Sequence, residues 1–399
     1  MVESVVAIIL VLAAFVMLVV GLFVRNVPFF VGLIAASGLT LYALQRFGLF
    51  AKIAALLNRE RRAYHFTIAA CVLAYPFIFV WLGNTYWIHV ATLAGIYVCL
   101  ALGLNITVGF AGLLDLGYVA FYAIGAYTAG IFFRHYPAAG WMFWVILPAA
   151  GLVAALFGVL LGSPTLRLRG DYLAIVTLGF GQIVRIILNN WEKVTNGPRG
   201  IADIPGPAIG PLSFDMGLRL GGLALPRVAN FYFLVVVLAI GIAVASNRLN
   251  HSRIGRAWVA IREDELAAAC AGINVAALKL LAFAIGASFA GVAGVMYASL
   301  MTFVDPMSFT FMESAMIVCM VVLGGMGSIP GVILGAMILT ALPEKLREFQ
   351  QVRMLLFGAA LIAMMVFRPE GLIPSRRRRQ ELQEAEEKDE PTFDHPPLK

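Results

Sequence analysis

The residues best equipped for chemistry lie in one short stretch, "RIGRAWVAIREDELAAACAGI", from Arg253 to Ile273. It holds Arg253, Arg256, Arg262, Glu263, Asp264 and Glu265 in a chain that is only 13% charged and 61% hydrophobic. Asp264 is placed to cap a helix, Glu265 falls in the first turn where the helix dipole favours an anion, and Gly272 can end the helix. Gly255 to Ile261, with Trp258, reads as a second short helix just before it. Two short helices meeting at a charged corner form a knob, whereas a bare connection between spans needs far less chain. A solvated loop anchoring one membrane face is the competing reading, and pattern alone leaves both open.

Elsewhere, polar groups in apolar segments are the next candidates, because such groups are costly in lipid and often functional. Asp115 lies in "AGLLDLGY" among Gly109, Gly112 and Gly117. Those glycines allow a helix break or a close packing seam. Asn105 can hydrogen-bond between helices. Asp171 suits a helix N-cap. His89 and Glu313 fall near span ends and read as interfacial rather than as a proton relay. The "GGMG" of 324–327 is a packed turn, not a nucleotide loop. No catalytic triad, carboxylate pair or metal-ligand cluster appears, and no G-x-x-x-x-G-K-[ST] occurs anywhere. The sequence therefore points to no catalytic residue, no metal and no cofactor. The spacing of Cys71, Cys99, Cys270 and Cys319 fits apolar filler better than metal binding.

The elements that must position these residues are membrane spans. A mean hydropathy of +0.90 leaves far too much apolar surface for water to cover. Apolar runs recur at 2–24, 28–45, 64–82, 87–108, 118–133, 141–162, 172–189, 229–247 and 279–301, with shorter ones at 311–323, 331–343 and 353–367. The pattern predicts an all-α polytopic membrane protein of about 10–12 transmembrane helices; the alternation of a β-barrel is missing. The run at 2–24 reads as a retained helix rather than a signal peptide. The 311–343 pair is either two short helices joined at the inner side or a re-entrant pair.

With both termini inside, the basic clusters at Arg46–Arg62, Arg167–Arg169, Arg248–Lys279 and Arg368–Arg379 share one side, which the positive-inside rule makes cytoplasmic. The net charge of +7 thus reads as topology, and nucleic acid is not an expected partner. The long segment 190–228, "NGPRGIADIPGPAIGP" at its centre, is then external: a floppy loop, or a docking surface or plug carrying Asn196, Gly197, Pro198 and Gly200. From Ser375 onward the charged, Pro-containing tail reads as disordered, its arginines near lipid headgroups.

"GRAWVAIREDELAAACAGINVAALKLLAF" resembles the cytoplasmic coupling segment of branched-chain amino-acid ABC importer permeases, the LivM family. "LGLNITVGFAGLLDLGYVAFYAIGAYTAG" (102–130), "LRLRGDYLAIVTLGFGQIVR" (166–185), "TNGPRGI" (195–201), "ESAMIVCMVVLGGMGSIPGVILGA" (313–336) and "RPEGLIP" (368–374) are similar to further blocks of that family, in order. Two positions depart from the pattern: Leu266-Ala267-Ala268 aligns with the usual Glu-Ala-Ala, and Gln182 stands where Glu is expected. The resemblance implies a helical bundle like that of vitamin-B12-type importer permeases. It divides the chain into an additional N-terminal segment (1–63), a permease domain (64–374) with its coupling segment at 250–275, and the tail (375–399).

The same resemblance implies a transport subunit of a bacterial inner membrane importer for Leu, Ile and Val, with no catalysis of its own. Its implied partners are a second, LivH-like permease, two cytoplasmic ATP-binding subunits, an external amino-acid-binding protein and membrane lipid. Arg256, Trp258, Arg262, Glu263, Asp264, Glu265 and Gly272 would couple to the ATPases. Asn105, Gly109, Gly112, Asp115 and Gly117 would line the path or a gate. Related importers carry urea, amides or other neutral amino acids. From a different class, a stand-alone ion-coupled transporter would need inverted repeats and midplane charges, and neither is clear.

Overall fold

The computed structural model describes residues 61–345 apart from 137–139, 166–170, 210–211, 216–217, 221–222, and a few isolated positions outside those limits such as 371–373. The expected spans at 2–24, 28–45 and 353–367 and the charged tail lie almost wholly outside the described residues. The chain divides into two compact units, Met1–His89 and Val90–Lys399.

The described part of the first unit is helix α1 (Arg61–Trp81) and the start of α2 (Tyr86–Leu104). Pro76 lies inside α1. The Tyr75 hydroxyl donates to the Trp87 carbonyl at 3.2 Å, so the turn between the helices is closed by a side chain.

In the second unit α2 runs on as a π-helical turn, Asn105–Phe110, all of it buried. Then follow α3 (Val119–His135), α4 (Phe143–Thr165), α5 (Asp171–Asn190), the single turn α6 (Glu192–Thr195), and α7 (Arg227–Asn250). The short pair α8 (Arg253–Glu263) and α9 (Glu265–Cys270) leads into α10 (Val275–Met301), and α11 (Phe311–Gly324) and α12 (Ile329–Lys345) complete the described bundle. Among the described residues, six helical stretches are long and apolar enough to cross a membrane. With almost no sheet, this is an all-α polytopic membrane protein. The apolar runs read from the sequence agree with α1 to α5, α7 and α10 to α12 to within a few residues at each end.

Helix α10 is the central element, packed between α3 and α4. Lipid offers little hydrophobic drive between helices, so they associate through close contact of small residues. A Cβ on Gly125 of α3 would clash with the Gly291 backbone of α10, and one on Gly158 of α4 would come 2.8 Å from the Phe283 carbonyl. At 27 residues, α10 extends about 40 Å at 1.5 Å per residue, more than the roughly 30 Å hydrocarbon core. Its two ends therefore mark opposite membrane faces. The α8–α9 pair stands at its N-terminal end.

Six short strands all lie in connections. β1 (Ile201–Ala202) pairs antiparallel with β6 (Phe303–Val304), just past the C-terminus of α10. β2 (Ala208–Ile209) pairs with β3 (Leu212–Ser213), and β4 (Leu218–Leu220) with β5 (Leu223–Leu225). Through β1, Ile204 and Arg227 the described ends of segment 190–228 are tied to the C-terminal end of α10, opposite the α8–α9 pair. The β1 end of the segment is fixed to the bundle rather than floppy.

Candidate functional site

The α8–α9 knob is shaped by local signals. Ser252 caps α8 by accepting from the Gly255 N–H. Asp264 ends α8 in an extended conformation and caps α9, accepting from the Leu266 and Ala267 N–H groups at 2.8 and 3.0 Å. Past α9, the Gly272 N–H donates to the Ala269 carbonyl at 3.0 Å, and the Ile273 N–H donates to the Ala268 carbonyl at 3.1 Å. That pair of bonds is a Schellman close, which needs a left-handed residue; Gly272 supplies it with φ +82°.

Three long side chains latch the knob to the bundle. Trp258, fully buried, donates its indole N–H to the Leu278 carbonyl at 2.8 Å. Lys279 in the first turns of α10 pairs with Glu265 at 2.8 Å, its side chain only 6% exposed. Arg262 Nη1 donates to the Gly109 carbonyl at 2.8 Å, and its stem covers Gly112, whose φ of +70° and closeness to the Arg262 side chain suit glycine alone. Arg262 and Glu265 therefore face inward. Outward face Arg256, Glu263 and Asp264, with Leu266 65% exposed beside the exposed Ala267, Ala269 and Cys270. An apolar tip rimmed by charge is the surface a protein partner can cover.

Behind Arg262 lies the broken segment 105–118. A π-turn inside a membrane helix often marks function, and the helix is interrupted after it, between Ala111 and Tyr118. Asn105 Oδ1 accepts from the Gly327 N–H at 2.8 Å, which joins this segment to the turn between α11 and α12. A Cβ on Gly109 would collide with Asn105 and come 2.6 Å from the Gly327 nitrogen. Gly117 presses on the Thr177 backbone of α5 without room for a Cβ, and the Thr177 hydroxyl accepts from the Leu116 N–H at 3.0 Å. The three glycines are contact points of a packing seam.

Asp115 is fully buried in that break. Its Oδ1 accepts from the Gly117 N–H at 2.9 Å, while its Oδ2 and the Asn105 Nδ2 are buried without a hydrogen-bond partner. The GGMG turn closes at the same end, where the Leu372 N–H donates to the Leu323 carbonyl at 2.8 Å. Helices α11 and α12 are thus joined at the knob side.

At the opposite end Asn196 (φ +64°) donates through Nδ2 to the Gly200 carbonyl at 2.7 Å. Gly197 and Pro198 form the tight turn between them, with Gly197 buried. A Cβ on Gly200 would clash with the Val304 carbonyl across the β1–β6 pair. Arg227 ties the far side of the segment down, pairing with Asp215 at 2.9 Å and donating to the Ser299 carbonyl at 2.7 Å.

Sequence reasoning overlooked Lys279 as the partner of Glu265, although a lysine opening an apolar span was a visible signal. It also treated Leu266 only as a departure from a signature, where the fold makes it the exposed tip. Among the described residues no group of His, Cys, Asp or Glu is placed to hold a metal ion.

No solved structure matches the chain. The chain is 46% identical over 337 residues to the high-affinity branched-chain amino acid transport system permease protein LivM of Escherichia coli K12, covering 82% of this chain and 78% of that protein. The protein of the same name from Salmonella typhimurium is 44% identical over 83% of this chain and 79% of its own length. The permease protein LivH of the E. coli system is 27% identical over 62% of this chain and 80% of that protein. The model of the family described as branched-chain amino acid transport system / permease component matches residues 86–367, the bundle that carries the knob, the broken segment and the opposite-face turn, and the chain belongs to that family.

Proposed function

We infer that the chain is the transmembrane permease subunit of an ATP-driven importer that carries branched-chain amino acids into the cytoplasm. The observation that supports this best is the latched knob. One small charged element, joined to the central helix and to a broken path segment through three side chains, can convert a partner's rigid-body movement into a change inside the bundle. The chain has no phosphate-binding loop of its own, so the energy comes from elsewhere. Two cytoplasmic ATPase subunits engage Arg256, Glu263, Asp264 and Leu266, while Trp258, Arg262, Glu265 and Gly272 keep the knob in shape and attached. The broken segment from Asn105 to Gly117, with Asp115, is the gate element that Arg262 moves.

A LivH-like permease forms the other half of the path, and an external receptor presents the amino acid at the face carrying Asn196, Gly197, Pro198 and Gly200. In this reading the knob face is cytoplasmic, as the basic residues require, and the membrane is the bacterial inner membrane. Uptake by the assembled complex in vesicles tests the reading. Leucine uptake is expected to require ATP, receptor and both ATPase subunits; uptake driven by an ion gradient without ATP would make the chain a secondary transporter.

A further inference from the structure

A second polar site lies inside the bundle, at the opposite end from the knob. Glu313, in the first turn of α11, belongs to the membrane-crossing stretch Pro306–Gly324. Its Oε2 accepts from the Tyr97 hydroxyl of α2 at 2.7 Å. Among the described residues no lysine, arginine or histidine pairs with it, and no further hydrogen bond reaches its other oxygen.

Aromatic rings from α3, α10 and the turn before α11 form a cluster, of which Tyr122 and Tyr297 lie within electrostatic range of Glu313. Tyr122 lies 5.3 Å from Tyr297 and 5.2 Å from Phe309, and Tyr297 lies 6.2 Å from Phe309. Tyr122 is buried, while Tyr97, Tyr297 and Glu313 are half-buried. The exposed part of Glu313 does not face acyl chains, because a carboxylate there with a single neutral hydrogen-bond partner is costly. It faces either the second permease or an aqueous path.

We propose that Glu313, with Tyr97 and the Tyr122–Tyr297 ring pair, is the subsite that takes the α-ammonium group of the transported amino acid. A carboxylate with a free oxygen lacks only a cationic hydrogen-bond donor, and tyrosine rings favour a cation by their quadrupoles. The inference rests on the reading of the chain as an amino-acid permease, and it adds where recognition occurs within the membrane.

The test compares leucine with 4-methylpentanoate, the same molecule without its amino group, binding to the purified permease–ATPase complex free of receptor. The wild type is expected to bind leucine more tightly. Glu313→Gln is expected to weaken leucine about tenfold or more, as loss of a charge-assisted hydrogen bond implies, and to leave 4-methylpentanoate unchanged or tighter. Tyr97→Phe, which removes the hydrogen bond but keeps the charge, is expected to retain most of the preference. A wild type without preference, or a Glu313→Gln that keeps it, would overturn the subsite. Should Glu313→Gln fail to assemble, Glu313→Asp decides: selective weakening of leucine supports the subsite, and equal weakening of both ligands or of neither overturns it. ATP-driven leucine uptake by the same preparation reports separately on the permease reading, so the two can fail independently.

Discussion

The two ends of α10 are built by different rules. At the knob end, attachment runs through the tips of long side chains: Trp258 to Leu278, Lys279 to Glu265, Arg262 to Gly109. At the other end it runs largely through backbone. β1 pairs with β6, the Ile204 N–H donates to the Thr302 carbonyl at 3.2 Å, and Gly200 lies against Val304 with no room for a Cβ. Side-chain bonds join separate elements at the knob, whereas a strand pair holds one backbone register. The knob end is thus suited to transmit displacement, and the opposite end to hold a fixed surface. Asn105 and Asp115, each with a buried polar atom that makes no hydrogen bond among the described residues, lie in the broken segment that Arg262 grips.

The largest effect on stability should come from the knob's anchor. Trp258→Ala empties a fully buried site and removes the Leu278 hydrogen bond, and is expected to cost about 3–5 kcal/mol. The loss should be read as a lower thermal unfolding midpoint of the purified chain and as failure to retain the ATPase subunits. Gly200→Ala at the other end is expected to cost less, about 1–3 kcal/mol through overpacking, and to leave ATPase retention intact. Equal loss of ATPase binding in the two variants would erase the distinction between the ends.

A smaller perturbation sharpens the comparison by side rather than by strength. Cys270 is exposed at the knob tip, whereas Cys71 and Cys99 are buried. In a Cys319→Ser background without the ATPase subunits, a membrane-impermeant thiol reagent is expected to spare intact cells and label inverted vesicles at Cys270. Labelling in intact cells would place the knob outside and remove its link to cytoplasmic ATPases.

What the sequence revealed divides along the range of the interactions. Helix ends and caps are local, so the apolar runs, the Asp264 cap and the Gly272 close were all readable from a few adjacent residues. The break after Phe110 was readable too, since Gly109, Gly112 and Gly117 crowd one apolar segment. The inward turn of Arg262 was not, because its acceptor at Gly109 is 153 residues away and a charged helix face looks solvated until the fold closes over it. The Tyr97–Glu313 bond spans 216 residues, which is why Glu313 read as an ordinary span-end residue. The anchoring of segment 190–228 was hidden for the same reason: a Gly- and Pro-rich stretch gives no local hint of its strand partner at Phe303–Val304.

The central claim is that Arg262 carries knob movement to the broken segment. Arg262→Met keeps much of the apolar stem over Gly112 and removes the hydrogen bond to the Gly109 carbonyl, so folding and ATPase binding should change little. The deciding measurement is the ratio of leucine taken up to ATP hydrolysed by the complete complex in vesicles. That ratio is expected to fall about tenfold, the scale of one charge-assisted hydrogen bond, while receptor-stimulated ATP hydrolysis persists. An unchanged ratio in an assembled Arg262→Met complex would contradict the coupling account.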